Sequence, residues 1–491
     1  MIATIQEQPH VSSAKETCLL LGRRIHFMGA GGIGVSALME LARARGALVT
    51  GCDGSCGGQV PHLRDMGIDV HAGHDTAHVD TCDELVFSAA VPESHPEIQR
   101  ARELGVEVTP RMAFLGRLAR GVRPVCVTGT HGKTTTTWMI AQLLIHAGRD
   151  PSVLVGGVAP SLQGNVRIPR GRAGSTRGEF VVEVDESDNR LGEVRPALAV
   201  VTNIDNDHLD RYGSMENIQA AIANWLCHTV ESDPLAACIG CGDDARVLAA
   251  MEEALGRTGL PFFDYGFDTA RAVRAARVQL NGLSATFDAI GPFGAWRDLE
   301  LPMPGRHNVM NALAAITAAW RLGLDEQTVR TGLAGMERVG RRFEIKGAAR
   351  GVHVVDDYGH HPTEIAATLQ AARDVAQGRV GVLFQQHRYT RTSTLMDDFA
   401  KCFAASGAEM IAVLPVYAAS EKSIRGATHK TLVQRIEKLG FSNVKAVKDR
   451  AEGVALLAAW AKEGDLILTQ GAGDVTLASH ELLDVLRANQ V

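Results

Sequence analysis

Residues 125–140 read VCVTGTHGKTTTTWMI. The β-branched run 125–127 predicts a strand, 128–134 a loop of small residues, and 135–144 a helix. Strand, Gly-rich loop and helix in that order make a cradle for phosphate. Loop N–H groups and the helix N-terminus point at the anion, Lys133 adds positive charge, and the Thr134 hydroxyl can hold Mg²⁺. The loop residues concerned are Gly129, Thr130, His131, Gly132, Lys133, Thr134 and Thr135. A full Walker loop has glycine where Val127 stands, so this is a shortened variant, G-T-H-G-K-T-T.

A second glycine loop, Gly29-Ala30-Gly31-Gly32-Ile33-Gly34, follows an apolar strand at 24–28 and precedes helical spacing at 35–45. Asp53 ends the next strand, about 20 residues on, as in a dinucleotide fingerprint. Alone, this loop reads as a nicotinamide dehydrogenase. Its physical content is broader: a pyrophosphate at a helix N-terminus and an acid near a ribose or base. A UDP-sugar meets those contacts equally well.

Acids gather at two further strand ends. The strand at 180–183 ends in Glu183, Asp185, Glu186 and Asp188, and the apolar run 196–202 ends in NIDNDHLD, which contains His208. In a parallel sheet these ends form the ligand-binding edge, and carboxylates there are suitable for Mg²⁺ beside phosphates. Asn308 and Asn311, three apart, share a helix face. The strand 352–355 leads into DDYGHHPTE, where Asp357, Tyr358, His360 and His361 crowd one strand-to-helix loop. After the strand 380–384, Arg388 and Arg391 can clamp an anion bidentately. The Gly- and Arg-rich stretch 164–178 reads as a surface loop.

The elements that must hold these groups alternate strand and helix throughout, which predicts α/β architecture with parallel sheets. A chain of 491 residues allows about three domains at roughly 150 residues each. The divisions expected are a polar tail at 1–20, a Rossmann-like nucleotide-sugar domain at 21–120, a central P-loop domain at 121–340 and a Rossmann-like C-terminal domain at 341–491. A net charge of −6 with no long basic run argues against nucleic acid as a partner. No stretch approaches the ~20 apolar residues of a membrane helix, and 1–17 has no apolar signal-peptide core. The nine cysteines make no disulfide scaffold, so a reducing cytoplasm is expected. Cys238-Ile-Gly-Cys241 lacks the second pair a zinc site needs and reads as two structural thiols.

Taken together, GTHGKTT, EVDESD, VTNIDNDHLDRYG, PGRHNVMN, DDYGHHPTE, HRYTRT and TQGAGD resemble the Mur ligase family, and the resemblance runs from about residue 25 to the end. It implies three α/β domains and ATP-dependent, ADP-forming amide-bond formation in peptidoglycan precursor synthesis. HFMGAGGIGVSALMELARARGALVTGCD and FSAAVPESHPEI are similar to the branch joining L-alanine to the lactyl carboxylate of UDP-N-acetylmuramate. The resemblance puts Gly31, Gly32, Ile33, Gly34, Asp53 and Ser88 at the UDP-sugar. It puts Asn308 and Asn311 at adenine and Arg342 near the phosphates. Mg²⁺ is expected on Thr134, Glu183 and His208, with Glu186 a further candidate. Tyr358, His361, His387, Arg388 and Arg391 are expected to face substrate. Lys133, His208, Arg342, Asp357 and His360 are expected to be catalytic, and Asp357, His360 and His361 are the choices for the base that deprotonates the amine. Some relatives carry a carbamylated lysine in the middle domain; no lysine lies between Lys133 and Lys346. A monomer or homodimer is expected. The alternatives are the tripeptide-adding recycling ligase of the same family, a nicotinamide dehydrogenase, and a P-loop ATPase acting as a switch.

Overall fold

The computed structural model describes residues 20–55, 57–170, 178–231 and 233–488. The expected polar tail lies, except for Leu20, outside the described residues, as do 171–177 of the expected loop.

Three sheets follow one another along the chain. The first has five parallel strands in the order Asp69–Ala72, Leu48–Asp53, Arg24–Met28, Glu84–Phe87, Glu107–Pro110. Starting in the middle and stepping outward both ways leaves a switch point beside Arg24–Met28, where the Gly29–Gly34 loop sits.

The second sheet has ten strands. At its centre Arg123–Thr128 runs parallel to both Leu198–Val201 and Glu179–Glu183. The register sets Thr128 beside Val201 and Val127 beside Glu183. The phosphate loop, the acids after Glu183 and the NIDNDH turn therefore leave one edge together. This is why motifs more than fifty residues apart meet. These strands are buried on both faces, as their near-continuous Val/Ala runs require.

Helix Lys133–His146 packs against the Ala-rich helix Arg306–Arg321, whose small side chains let the two helices share one core through Trp138, Leu143, Ala312 and Ile316. Beyond the parallel strands, Val273–Asn281, Ser284–Gly291 and Gly294–Leu301 form an antiparallel meander. The start of the expected loop at 164–178 differs: Gly164–Arg167 is a strand antiparallel to Ser152–Ala159. Its alternation is too short to stand out among glycines and arginines, and pairing with a neighbouring edge supplies the order.

The third sheet has six strands, with Val352–Asp357, Leu466–Gln470 and Val380–His387 parallel and adjacent. Asp357 pairs with Gln470 in register, so the DDYGHH and QGAGD turns emerge side by side. Cys238 and Cys241 are free, buried thiols of the strand Ala237–Cys241.

Candidate active site

The phosphate loop is held from behind by Asn203. Its Oδ1 accepts the His131 N–H at 2.8 Å, its Nδ2 donates to the His131 carbonyl at 2.9 Å, and its carbonyl accepts the Thr130 N–H at 3.0 Å. Gly129 and Gly132 both have left-handed φ, +119° and +80°. Gly132 caps helix Lys133–His146, and a Cβ there would lie 2.5 Å from Asn311 Oδ1. Glycine is thus required by both conformation and space. Lys133 Nζ donates to the Gly129 and Thr130 carbonyls at 2.6 and 3.0 Å and pairs with Glu186 at 3.0 Å. Burial works against its charge, but Glu186, Asp185 and Glu183 outweigh that and hold Lys133 above the usual lysine range.

Two cavities flank this loop. One, of about 570 Å³, is lined by Gly132, Thr135, Asn308 and Asn311 together with Asp244, Tyr265, Phe267, Arg306 and His307. Arg306 lies 4.0 Å from the Phe267 ring centroid. An apolar wall with a few polar groups beside a phosphate loop fits a purine nucleoside. Asn308 and Asn311 lie here as the motif implies. Asp244, Tyr265, Phe267, Arg306 and His307 were not singled out from sequence; the PGRHN run contains Arg306 and His307, and no motif pointed to the other three.

The second cavity, of about 360 Å³, lies where the three domains meet. It is lined by Ile33, Gly34 and Arg111 from the first domain. Lys133, Thr134, Glu183, Asp185 and His208 come from the second, and Tyr358, His360, His387, Arg388 and Arg391 from the third. Arg342 borders both cavities, its Nη2 3.5 Å from Thr134 Oγ1. Thr134, Glu183 and His208 all line this cavity, and their oxygen and imidazole donors are suitable for a divalent cation beside phosphates. Glu183 Oε2 accepts the Gly156 N–H at 2.7 Å, and a Cβ on Gly156 would collide with that carboxylate. The glycine keeps room for the acid to face the cavity.

The third domain reaches the phosphate loop through ion pairs. His131 Nε2 lies 2.9 Å from Asp205, and its Nδ1 lies 3.4 Å from Glu364 of helix Pro362–Val375. Burial opposes protonation, but these two carboxylates raise His131 to about 9. Thr363 donates to Asp205 at 2.6 Å, and Arg391 pairs with Asp207.

Several expected roles look different in the structure. Asp357 is buried with both oxygens occupied: Oδ2 accepts from Phe343 N–H, and Oδ1 accepts from Gly359 N–H, Thr368 and Gln470. Four donors on a carboxylate that borders the larger cavity make it a brace for the loop. His361 caps helix Pro362–Val375 and meets the Asn206 carbonyl at 3.1 Å; it borders neither cavity. His360 and His387 do border the inter-domain cavity, and burial, reinforced by Arg391, lowers them to about 3 and about 4. Both are therefore neutral imidazoles at physiological pH. Arg388 and Arg391 also border it, with their guanidinium groups on Glu421 at 2.6 Å and Asp207 at 3.0 Å.

In the first domain Asp53 braces the glycine loop, accepting the Gly31 N–H at 2.9 Å and two bonds from Ser55. Ser88 backs the same loop: a Cβ on Gly29 would lie 3.0 Å from its Cβ. Gly32 caps helix Ile33–Ala44, and Ile33 and Gly34 of its first turn line the inter-domain cavity. Arg111, which no motif flagged, ties this domain to the second by pairing with Asp185 at 2.7 Å and Asp188 at 3.3 Å.

Comparison with known proteins agrees across the chain. Residues 24–123 match the model described as Mur ligase family, catalytic domain. Residues 127–319 match the Mur ligase middle domain, and 341–473 the Mur ligase, glutamate ligase domain. The UDP-N-acetylmuramate–L-alanine ligase of Solibacter usitatus is 41% identical, covering 95% of this chain and 96% of that protein. The protein of that name from Agrobacterium fabrum is 39% identical over 92% of this chain and 94% of its own. Among solved structures, the UDP-N-acetylmuramate-alanine ligase MurC of Thermotoga maritima superposes with a TM-score of 0.79 at 27% identity, covering 95% of this chain and 100% of that one. A murein peptide ligase from Psychrobacter arcticus shares the fold with a TM-score of 0.67 at 24% identity, over 95% of this chain and 99% of its own.

Proposed function

The chain belongs to the Mur ligase family, and we propose that it joins L-alanine to the lactyl carboxylate of UDP-N-acetylmuramate, with ATP converted to ADP and phosphate. One observation carries the ligase chemistry. The glycine loops of two domains and the HRYTR turn of the third open onto a single cavity, which suits a reaction with three substrates. A dehydrogenase has no use for Lys133 beside such a chamber, and a switch ATPase none for the Gly29–Gly34 domain.

The chemistry follows from a carboxylate's poor leaving group. One lactyl oxygen attacks the γ-phosphorus in line, the bond to the bridging oxygen breaks, and ADP leaves. The alanine amine then attacks the acyl carbon, phosphate departs with the electron pair, and the ammonium proton is lost. The protein's contribution is position and charge. Gly129 to Thr135 cradle the phosphates with their backbone N–H groups, and Lys133 shifts from the loop carbonyls to the anion. Arg342, between the two cavities, offsets charge developing at the transferred phosphoryl group. Asn308 and Asn311, with Phe267, hold the base. Gly31 to Gly34, Asp53 and Ser88 hold the UDP end, and Tyr358, His360, His387, Arg388 and Arg391 close over the acyl end. Thr134, Glu183 and His208 would hold Mg²⁺, which when bound neutralises phosphate charge. Neutral His360 donates its Nδ1–H to the Tyr358 carbonyl at 3.2 Å and keeps the Nε2 lone pair for relaying the amine proton. Closure of the third domain through His131, Asp205 and Asp207 excludes water from the acyl phosphate.

No helix among the described residues is long and apolar enough to cross a membrane, and a cytoplasmic site of action goes with nucleotide substrates. Incubation with Mg-ATP, UDP-N-acetylmuramate and one amine at a time (L-alanine, glycine, L-serine or a peptidoglycan tripeptide) tests the reading by mass spectrometry. A product one alanine residue heavier is expected. Product with tripeptide alone would move the assignment to the recycling ligase.

A further inference from the structure

The first domain contains a side-chain cluster that the ligase chemistry does not use. His26 lies in the strand Arg24–Met28 and Cys52 in the adjoining strand Leu48–Asp53. His78 lies in the short 3-10 helix Thr76–Val79, and Glu97 in helix Pro96–Glu103. One potential ligand atom from each lies within 4.8 Å of all the others. His26, Cys52 and Glu97 are at most 1% exposed.

Hydrogen bonding accounts for most of this cluster but not all of it. His78 Nδ1 is 2.8 Å from Glu97 Oε1, Cys52 Sγ is 3.5 Å from Glu97 Oε2, and His74 Nδ1 is 3.3 Å from Cys52 Sγ. His26 Nδ1 is satisfied by Thr50 Oγ1 at 2.8 Å. His26 Nε2 is buried with no hydrogen-bond partner among the described residues. A bare imidazole nitrogen inside a protein costs free energy of desolvation that nothing here returns.

We propose that His26, Cys52, His78 and Glu97 form a transition-metal site, with Zn²⁺ the ion it fits best. Two imidazoles, a thiol and a carboxylate are a borderline-soft, four-donor set, suited to tetrahedral Zn²⁺ and unsuited to Mg²⁺ or Ca²⁺, which take oxygen. Bonds of ~2.0–2.3 Å would set tetrahedral ligand atoms ~3.3–3.8 Å apart, so the cluster needs only a small contraction. The ion takes the lone pair of His26 Nε2, and the Cys52 thiol proton leaves to solvent as the thiolate binds. Thr50 on the far nitrogen of His26 fixes that ring, as outer partners of metal-bound histidines do. The site is structural. It ties the central strand and its neighbour to the 3-10 helix and to helix Pro96–Glu103, directly behind Asp53, which braces the Gly31 N–H. It holds whether or not the chain ligates alanine.

Cobalt substitution of the full-length protein tests this without any variant. Among the described residues the other grouping that could hold a metal, His131, Asp205 and His361, contains no sulfur. A cysteine thiolate-to-Co²⁺ charge-transfer band, tetrahedral d–d intensity and displacement by one equivalent of Zn²⁺ are therefore expected. Cys52→Ser should lose the charge-transfer band and weaken Zn²⁺ binding at least tenfold against a chromophoric chelator. His78→Gln, at a side chain 14% exposed and the most accessible of the four, should also weaken binding while leaving the circular dichroism unchanged. Absence of the thiolate band in the wild-type protein, or wild-type Zn²⁺ affinity in both variants, would overturn the proposal.

Discussion

Arg391 and Asp207 form a bidentate ion pair across the second and third domains, with Nη2 3.1 and 3.0 Å from the two carboxylate oxygens and Nε 3.2 Å from one of them. Both side chains are nearly buried, at 6% and 11% exposure. Burial works against the Asp207 charge, but Arg391 and then His208 hold its carboxyl well below the usual range. The pair joins the NIDNDH turn to the HRYTR turn and so fixes how the third domain sits over the phosphate loop.

Removing one member of a buried, hydrogen-bonded charge pair costs about 2–5 kcal/mol, largely because the other charge is stranded. Asp207→Asn is therefore expected to lower kcat by ~10-fold or more. It should also raise the share of phosphate released without amide product, because a loosened chamber admits water. Parallel phosphate and product assays check this. Full coupling with unchanged kcat would remove Asp207 from the closure account.

Gly132→Ala places a side chain where φ is +80° and Asn311 Oδ1 lies 2.5 Å away. Backbone strain of about 1–3 kcal/mol at the phosphate loop should raise KM for ATP ~10-fold or more. Affinity for the UDP-sugar, measured by calorimetry without ATP, should be unchanged, because the Gly29–Gly34 loop is on a separate sheet.

His131 gives the protein a pH-dependent contact. Its folded value of about 9 lies above the ordinary ~6.5, so the folded state holds a proton that the unfolded state loses first. The stabilisation is complete below about 6.5 and is lost as pH rises through about 9. The melting temperature of wild type should therefore exceed that of His131→Gln at pH 6 and converge with it by pH 10. A gap that stays constant over that range would contradict the Asp205–His131–Glu364 linkage.

Phe267 borders the larger cavity beneath Arg306. If that cavity takes adenine, Phe267→Ala removes a stacking face worth about 0.5–1.5 kcal/mol and raises KM for ATP ~2–10-fold. KM for alanine and for the UDP-sugar should not move. A rise in all three would point to general loosening of the domain.

The family and the α/β architecture were legible because strand-end motifs carry both. GTHGKTT and GAGGIG specify loop, helix start and ligand class at once. The meander at 273–301 was not legible. Its strands are partly exposed and their alternation is interrupted by irregular pairings, for example between Ala276 and Gln279. Side-chain roles within a motif were harder still. Asp357 and His361 stand in the densest motif of the chain, yet neighbours claim one as a loop brace and the other as a helix cap. Residue type and spacing cannot tell a catalytic acid from a saturated one; only the count of donors around it does. Arg111 and the His26 cluster carry no local pattern, because their partners come from distant strands and helices.

In the proposed order of events, the lactyl carboxylate is phosphorylated before the amine attacks. UDP-N-acetylmuramate labelled with ¹⁸O in that carboxylate, turned over with unlabelled ATP and L-alanine, tests it directly. One ¹⁸O is expected in each phosphate released, dependent on both co-substrates and lost with Lys133→Ala. Phosphate free of label alongside amide product would contradict it.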